Sequence, residues 1–335
     1  GETGKTFIST NIAKALKELD YKVRYIDCDV EEPNGHLFLK PEISVEHNIT
    51  VLSPVGIDSE KCSLCKKCID ACNYNAIGMV KDKILFFKNL CHICGGCKVV
   101  CPENAIIEEE RKIGEYKHGE SYCIDFHYAL LETGEGGMSP RLIKKVKSNI
   151  KEGINLLDSP PGTSCSVVET VKNSDLCILV TDPTPFGIND LKLSVDMCRE
   201  VGLEPIVVVN RAQYLNNDLK DYCREANLEI IGEIPNDRRI AIEYSEGKIV
   251  FDNLPEYRET FLNLAKSIVY RAQNKKTVFK KDLLSNTSDI DPYDIEYNYR
   301  AEDISYVKTN EIVVISGKGG TGKTSLVASF CAIEN

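Results

Sequence analysis

No stretch of this 335-residue chain approaches the roughly 20 consecutive apolar residues that a membrane-spanning helix needs. No basic segment followed by an apolar one opens it, so neither a membrane protein nor a secreted one is indicated and the cytoplasm is the expected compartment. Positive charge is also short: 41 Lys and Arg against 51 Asp and Glu leave a formal net charge of -10, which argues against nucleic acid as a main partner. A disulfide framework is excluded by the arrangement of the 15 cysteines, eight of which crowd into two tight clusters in a long chain without a leader. The other seven, Cys28, Cys123, Cys165, Cys177, Cys198, Cys223 and Cys331, are scattered and are read as small buried hydrophobes. With 42% hydrophobic and 27% charged residues, the rest is the composition of a globular protein able to hold two domains.

The clustered cysteines repeat one spacing. Cys62-x2-Cys65-x2-Cys68-x3-Cys72 recurs as Cys91-x2-Cys94-x2-Cys97-x3-Cys101-Pro102, and the flanks Asn75-Ala76-Ile77 and Asn104-Ala105-Ile106 repeat with it. In such runs the first three thiolates hold one cubane and the fourth reaches across to the other. The spacing therefore predicts two [4Fe–4S] clusters, one on Cys62, Cys65, Cys68 and Cys101, the other on Cys91, Cys94, Cys97 and Cys72. Residues 58–110 resemble bacterial two-cluster ferredoxins, departing where Asn73 replaces a proline.

Around this segment the pattern is that of a parallel sheet. Ile8, Ile12, Leu16 and Leu19 share a helical face, and Val23 to Ile26 is a short apolar run ending at Asp27. Ile154 to Leu157, Leu176 to Val180 and Ile206 to Val209 are continuous apolar runs, as expected of strands covered on both faces. They end in Asp158, Thr181-Asp182 and Asn210, and the carboxyl ends of parallel strands are where such sheets bind ligands. Phosphate-loop signatures stand at both ends. Gly1-Glu2-Thr3-Gly4-Lys5-Thr6 is the inside of one without its strand, and Glu311 to Ser316 precedes a full one, Gly317-Lys318-Gly319-Gly320-Thr321-Gly322-Lys323-Thr324. Such loops aim backbone N–H groups and a helix N-terminus at phosphates, the lysine reaching the terminal phosphates and the Ser or Thr the Mg²⁺.

These motifs, with Asp27-Cys28-Asp29, Pro33-Asn34, Asp158-Ser159-Pro160-Pro161-Gly162-Thr163 and Asn210-Arg211, resemble the MinD/ParA/Mrp superfamily of P-loop ATPases, specifically members with an inserted ferredoxin. The resemblance implies an α/β fold: a mostly parallel P-loop sheet with helices on both faces, plus an inserted α+β bacterial-type ferredoxin module. Residues 1–57 and 111–272 would form the ATPase domain, 58–110 the insertion, 273–309 an acidic linker, and 310–335 the start of a second ATPase domain. It further implies that ATP and Mg²⁺ are held by Gly1, Thr3, Gly4, Lys5, Thr6, Asp27 and Asp158, with Asp29 orienting the attacking water and Lys5 and Asp29 carrying catalysis. Asn210, Pro235 and Asp237 would contact the base. Lys318, with Gly317, Gly319, Gly320, Gly322, Lys323 and Thr324, would serve the second site, Lys318 reaching the nucleotide of a partner.

Three functions stay open on the sequence. The first is an ATPase coupling nucleotide state to electron transfer or cluster handling, with an unidentified redox or cluster-accepting protein and a pseudo-dimer with the tandem domain or a homodimer. The second is a MinD-like positioning ATPase, and the third a ferredoxin carrier whose ATPase has decayed. Because the first loop lacks its strand and the chain stops one short helix after the second, both chain ends are expected to be cut. Glu311 to Ser316 is the spare strand that could fill the slot, the linker being long enough to bring it there.

Overall fold

The computed structural model describes residues 4–214, 217–278 and 310–317. Eleven strands follow in chain order: β1 Val23–Asp27, β2 Glu42–Ile57, β3 Ile77–Val80, β4 Lys83–Phe86, β5 Ile106–Ser121, β6 Ile124–Leu131, β7 Ile154–Asp158, β8 Leu176–Thr181, β9 Ile206–Asn210, β10 Ile230–Ile234 and β11 Asn310–Ser316. Nine form one sheet in the order β10-β9-β8-β11-β7-β1-β6-β5-β2, and β3 and β4 form a separate hairpin. From β10 to β6 all neighbours are parallel, whereas β5 and β2 add antiparallel pairs.

Side chains alternate between two apolar layers, which is why the central strands read as unbroken hydrophobic runs. Tyr25, Leu156, Ile178, Val208, Ile312 and Val314 face one core with the helices Lys5–Glu18 and Arg258–Val278. Ile26, Leu157, Leu179, Val209, Val313 and Ile315 face the other, under the helices Ser139–Lys147, Cys165–Val171 and Pro185–Glu200. Ile8, Ile12 and Leu16 are fully buried on the face that their spacing indicated.

β11 occupies the slot considered for it, pairing Ile312 with Leu156 on one side and with Leu176 on the other. Two details differ from the sequence reading. The helix Arg258–Val278 runs past residue 272 into the stretch assigned to the linker, and the rest of that stretch, residues 279–309, lies outside the described residues. Of the scattered cysteines, Cys28, Cys177, Cys198 and Cys223 are buried, but Cys123 and Cys165 are exposed. Cys123 sits with Tyr122 at positive φ in the tight turn between β5 and β6, and Cys165 opens a helix after a Pro-Pro-Gly turn, so local backbone geometry places both at the surface. Cys331 lies outside the described residues.

β2 and β5 were not foreseen. They pair from Glu42 against Glu120 to Ile57 against Ile106, a ribbon of 16-residue strands about 50 Å long. The inner part of β5 pairs with β6 from Gly114 to Ser121, so the outer part projects from the sheet and carries residues 58–105 at its end. There Ile57 and Ile106 pack with Cys68, Ile77 and Cys97 in a small third core.

The centrality of β11 gives a direct test. Ile312→Ala is expected to cost about 2–5 kcal/mol in urea unfolding, as for a fully buried aliphatic side chain. A loss within about 0.5 kcal/mol, the surface range, would mean that the strand is not a working part of this sheet.

Candidate functional site

The first site lies at the carboxyl edge of the sheet. Gly4 stands before the helix Lys5–Glu18 at φ +89°, and a Cβ there would fall 2.5 Å from Nδ2 of Asn210 at the end of β9. The backbone turn therefore requires glycine on both conformational and steric grounds. Lys5, next in the chain, is 1% exposed, and its Nζ lies 3.7 Å from Oδ2 of Asp29 and 3.7 Å from Oδ1 of Asp158. Burial alone would push its ammonium down, but Asp158, Asp29 and Asp27 together hold it above its ordinary value.

The three carboxylates are supported differently. Asp27, at the end of β1, accepts backbone N–H bonds from Asp29 (3.1 Å), Asn34 (3.1 Å) and Gly35 (2.9 Å). Burial, then the neighbouring Asp158, nevertheless push it well above the usual carboxylate range. Asp158, at the end of β7, takes a bond from the Tyr25 hydroxyl at 2.9 Å, itself 2.7 Å from Ser9 Oγ. Its other oxygen, Oδ1, is buried and has no hydrogen bond. Asp29 is pushed up to about 6 by burial, partly offset by Lys5. A buried carboxylate oxygen with unused capacity, beside two more carboxylates and the buried Thr6, is a donor set suited to a hard divalent cation.

The remaining expected residues are placed as follows. Asn210 lies against Gly4, with Oδ1 accepting from Arg211 N–H at 3.0 Å. Pro235 and Asp237 follow β10, where Asp237 caps the helix Arg238–Ser245, accepting from Arg239 N–H (2.8 Å) and the Tyr257 hydroxyl (2.6 Å). Arg239 and then Tyr257 hold its carboxyl well below the usual range. Gly317 packs so closely on the Pro185–Glu200 helix that an added Cβ would lie 2.0 Å from Cβ of Asp190. Gly1 and Thr3, with Glu2, and Lys318, Gly319, Gly320, Gly322, Lys323 and Thr324 lie outside the described residues.

The second site is at the ribbon's end. One cavity is lined by Cys62, Cys65, Cys68 and Cys101, another by Cys72, Cys91, Cys94 and Cys97. The duplication is visible in the backbone: positive φ recurs at Leu64 and Ile93, at Lys66 and Gly95, and at Asn75 and Asn104. Backbone N–H groups of Ala76, Ile93 and Ala105 donate to Sγ of Cys72 (3.3 Å), Cys91 (3.4 Å) and Cys101 (3.2 Å). Burial, then the neighbouring Cys91, push the Cys97 thiol up to about 11, so its thiolate needs a bound cation. Each quartet is a donor set that can hold a metal or an iron–sulfur group.

Contacts that no sequence signal announced join the two sites. Ile93, between Cys91 and Cys94, is 5% exposed and belongs to the core beneath the helix Ser139–Lys147. Arg141 on that helix donates to the Ile93 carbonyl, and a Cβ on Gly137 would lie 2.9 Å from Cε1 of His92. At the start of the same helix, Ser139 Oγ donates to Glu31 Oε1 at 2.6 Å, two residues beyond Asp29.

A parallel sheet whose glycine turn and buried lysine face carboxylates at its carboxyl edge defines an α/β nucleotide-binding protein of the P-loop class. The chain belongs to the CobQ/CobB/MinD/ParA nucleotide binding domain family, whose model matches residues 1–250. It is 30% identical over 283 residues to an uncharacterized protein of Methanocaldococcus jannaschii, MJ0579, an alignment covering 78% of this chain and 93% of that one. It is 22% identical over 277 residues to the cytosolic Fe-S cluster assembly factor nubp2 of Xenopus laevis, covering 76% and 83%. Among solved structures it is similar to the septum site-determining protein MinD of Pyrococcus horikoshii in complex with Mg-ADP, with 20% identity, a TM-score of 0.49, and 82% and 94% of the two chains covered. No helix among the described residues is long and apolar enough to cross a membrane.

The lysine's charge environment is testable without a ligand. Lys5→Met leaves Asp27, Asp29 and Asp158 facing one another without a cation, and should cost about 3–5 kcal/mol in urea unfolding at neutral pH. Asp29's folded value of about 6 lies above its ordinary 3.8. Ionising it therefore costs stability above pH 6 and not below the ordinary value, so the mutant's deficit should shrink as the medium is acidified through this range. A pH-independent deficit would separate Lys5 from these carboxylates.

Proposed function

We propose that the chain is an ATP-binding and ATP-hydrolysing iron–sulfur protein that couples nucleotide state to electron transfer or cluster handling. The observation that carries this reading is the helix Ser139–Lys147, which touches the Asp27–Glu31 segment through Ser139 and the second cysteine quartet through Arg141 and buried Ile93. A change at one site that moves this helix reaches the other by direct packing.

For the cysteines, the size of each quartet favours a cubane over a single ion. Among the described residues no three of these sulfurs lie within 4.8 Å of one another, whereas four thiolates on one zinc at about 2.3 Å stand roughly 3.8 Å apart. The N–H···S bonds are of the kind that set cluster potentials. The relative described as a cytosolic Fe-S cluster assembly factor supports the same assignment. Eight interlocked ligands make release difficult, so electron delivery is preferred over donation of these clusters.

At the nucleotide site, Lys5 binds the terminal phosphates, exchanging its carboxylate partners for phosphate oxygens, and Gly4, with Gly1 and Thr3, would offer backbone N–H groups. Thr6, Asp27 and Asp158 would hold Mg²⁺, which neutralises phosphate charge when bound. Asp29 positions the attacking water. Asn210 and the Pro235–Asp237 turn flank the base. Lys318 would serve a second subunit or the tandem domain.

The deciding measurement is ATP turnover with the clusters reduced and then oxidised, a several-fold change being expected and equal rates overturning the coupling. Asp29→Asn should keep ATP affinity within about 3-fold while losing about 100-fold or more in turnover. Undiminished turnover would remove Asp29 from the reaction.

A further inference from the structure

A second group of potential ligands lies at the other end of β1. Asp125 and His127 on β6 and His118 on β5 converge, with His118 directly opposite His127 across the strand pair. Nε2 of His118 is 2.6 Å and Nε2 of His127 is 3.0 Å from the same oxygen, Oδ1 of Asp125. We propose that His118, Asp125 and His127 form a binding site for a divalent transition-metal ion of the zinc class, separate from the nucleotide and cysteine sites.

Two features argue for an ion rather than a closed hydrogen-bond network. First, His127 is 4% exposed, and its Nε2 has no hydrogen-bond partner, because its approach to Asp125 is close but misaligned. A buried imidazole nitrogen aimed at two other ligand atoms without a bond is costly unless something else satisfies it. Second, the outer partners are those that hold metal ligands in place. The Tyr116 hydroxyl is 2.6 Å from Nδ1 of His127, which fixes the ring and leaves Nε2 for the ion. Arg24 donates from Nε (2.8 Å) and Nη2 (2.7 Å) to Oδ2 of Asp125 and leaves Oδ1 unclaimed by the guanidinium.

Two imidazoles and one carboxylate are the donor set that borderline ions prefer, in contrast to the thiolates of the module and the oxygens around Lys5. Ligand atoms at about 2.0–2.2 Å from one ion stand roughly 3.3 Å apart. The two rings, now stacked with centroids 4.5 Å apart, would therefore turn their Nε2 atoms outward by about half an ångström on loading. His118 and Asp125 are each about one third exposed, so a fourth, solvent ligand can reach the ion from that side.

The test titrates the chain with Zn²⁺ against a chromophoric chelator, its module cysteines in the same state in every sample. Wild type should bind one equivalent more than His118→Gln, a change at a partly exposed position that spares the core. Tyr116→Phe should keep that equivalent with about 10-fold weaker affinity. With Co²⁺, the wild-type minus His118→Gln difference should show ligand-field bands without sulfur-to-cobalt charge transfer. Equal stoichiometry and affinity in wild type and His118→Gln, or a difference spectrum carrying sulfur charge transfer, would overturn the site.

Discussion

The structure depends most on one buried cation. Lys5 sits among Asp27, Asp29 and Asp158 at the junction of β1, β7 and the first helix, where a buried ammonium without carboxylate partners would be strongly disfavoured. Their geometry is fixed by elements that carry little else: Tyr25 and Ser9 for Asp158, and the Asn34–Gly35 turn for Asp27. Asp29 follows β1 rather than lying on it, and burial raises it to about 6 against the offsetting charge of Lys5. A polyanion that takes Lys5 from these carboxylates removes that offset at Asp29.

Asp29 matters because of where the chain goes next. Glu31 holds Ser139, and the helix behind Ser139 carries Arg141 and faces Ile93. The ribbon of β2 and β5 alone would be a long arm free to bend, since β2 is an exposed edge over much of its length. Ile93 changes this by anchoring the second cysteine quartet in the main core. The first quartet lies away from that anchor, beside Leu64 and Lys66 at the surface. The two quartets are alike in local backbone and unlike in setting, one held against the main core and the other at the surface.

How much of this was legible in the sequence follows from the range of the interactions. The cysteine grouping was legible because ligand order is fixed over ten residues by short turns, and the central strands because burial on both faces leaves an unbroken apolar run. β11 could be assigned its slot because its unbroken apolar run has the character of the central strands it pairs with. β2 and β5 were missed for the opposite reason. Residues such as Glu108, Glu109, Glu110, Arg111 and Lys112 line a ribbon open to solvent, and their charges conceal the strand. Ile93 was hidden inside a cysteine motif where any residue fits the spacing. The two exposed cysteines were misread because residue type was weighed without the turn that holds them.

β1 shows the same contrast within five residues. At its amino end Arg24 holds Asp125, and at its carboxyl end Asp27 faces Lys5, so a strand of apolar neighbours carries opposite charges to two edges of the sheet. Val23 and Tyr25 face one core and Ile26 the other, while Arg24 reaches Asn155 and Asp125 on the strands beside it. The strand cannot slip by one residue without burying Arg24 away from its partners and turning Tyr25 from Asp158. Register in the middle of the sheet is thus set by polar pairs at the ends as much as by the apolar residues between them. The polar ends place functional groups at both edges of a sheet whose centre is indifferent to chemistry.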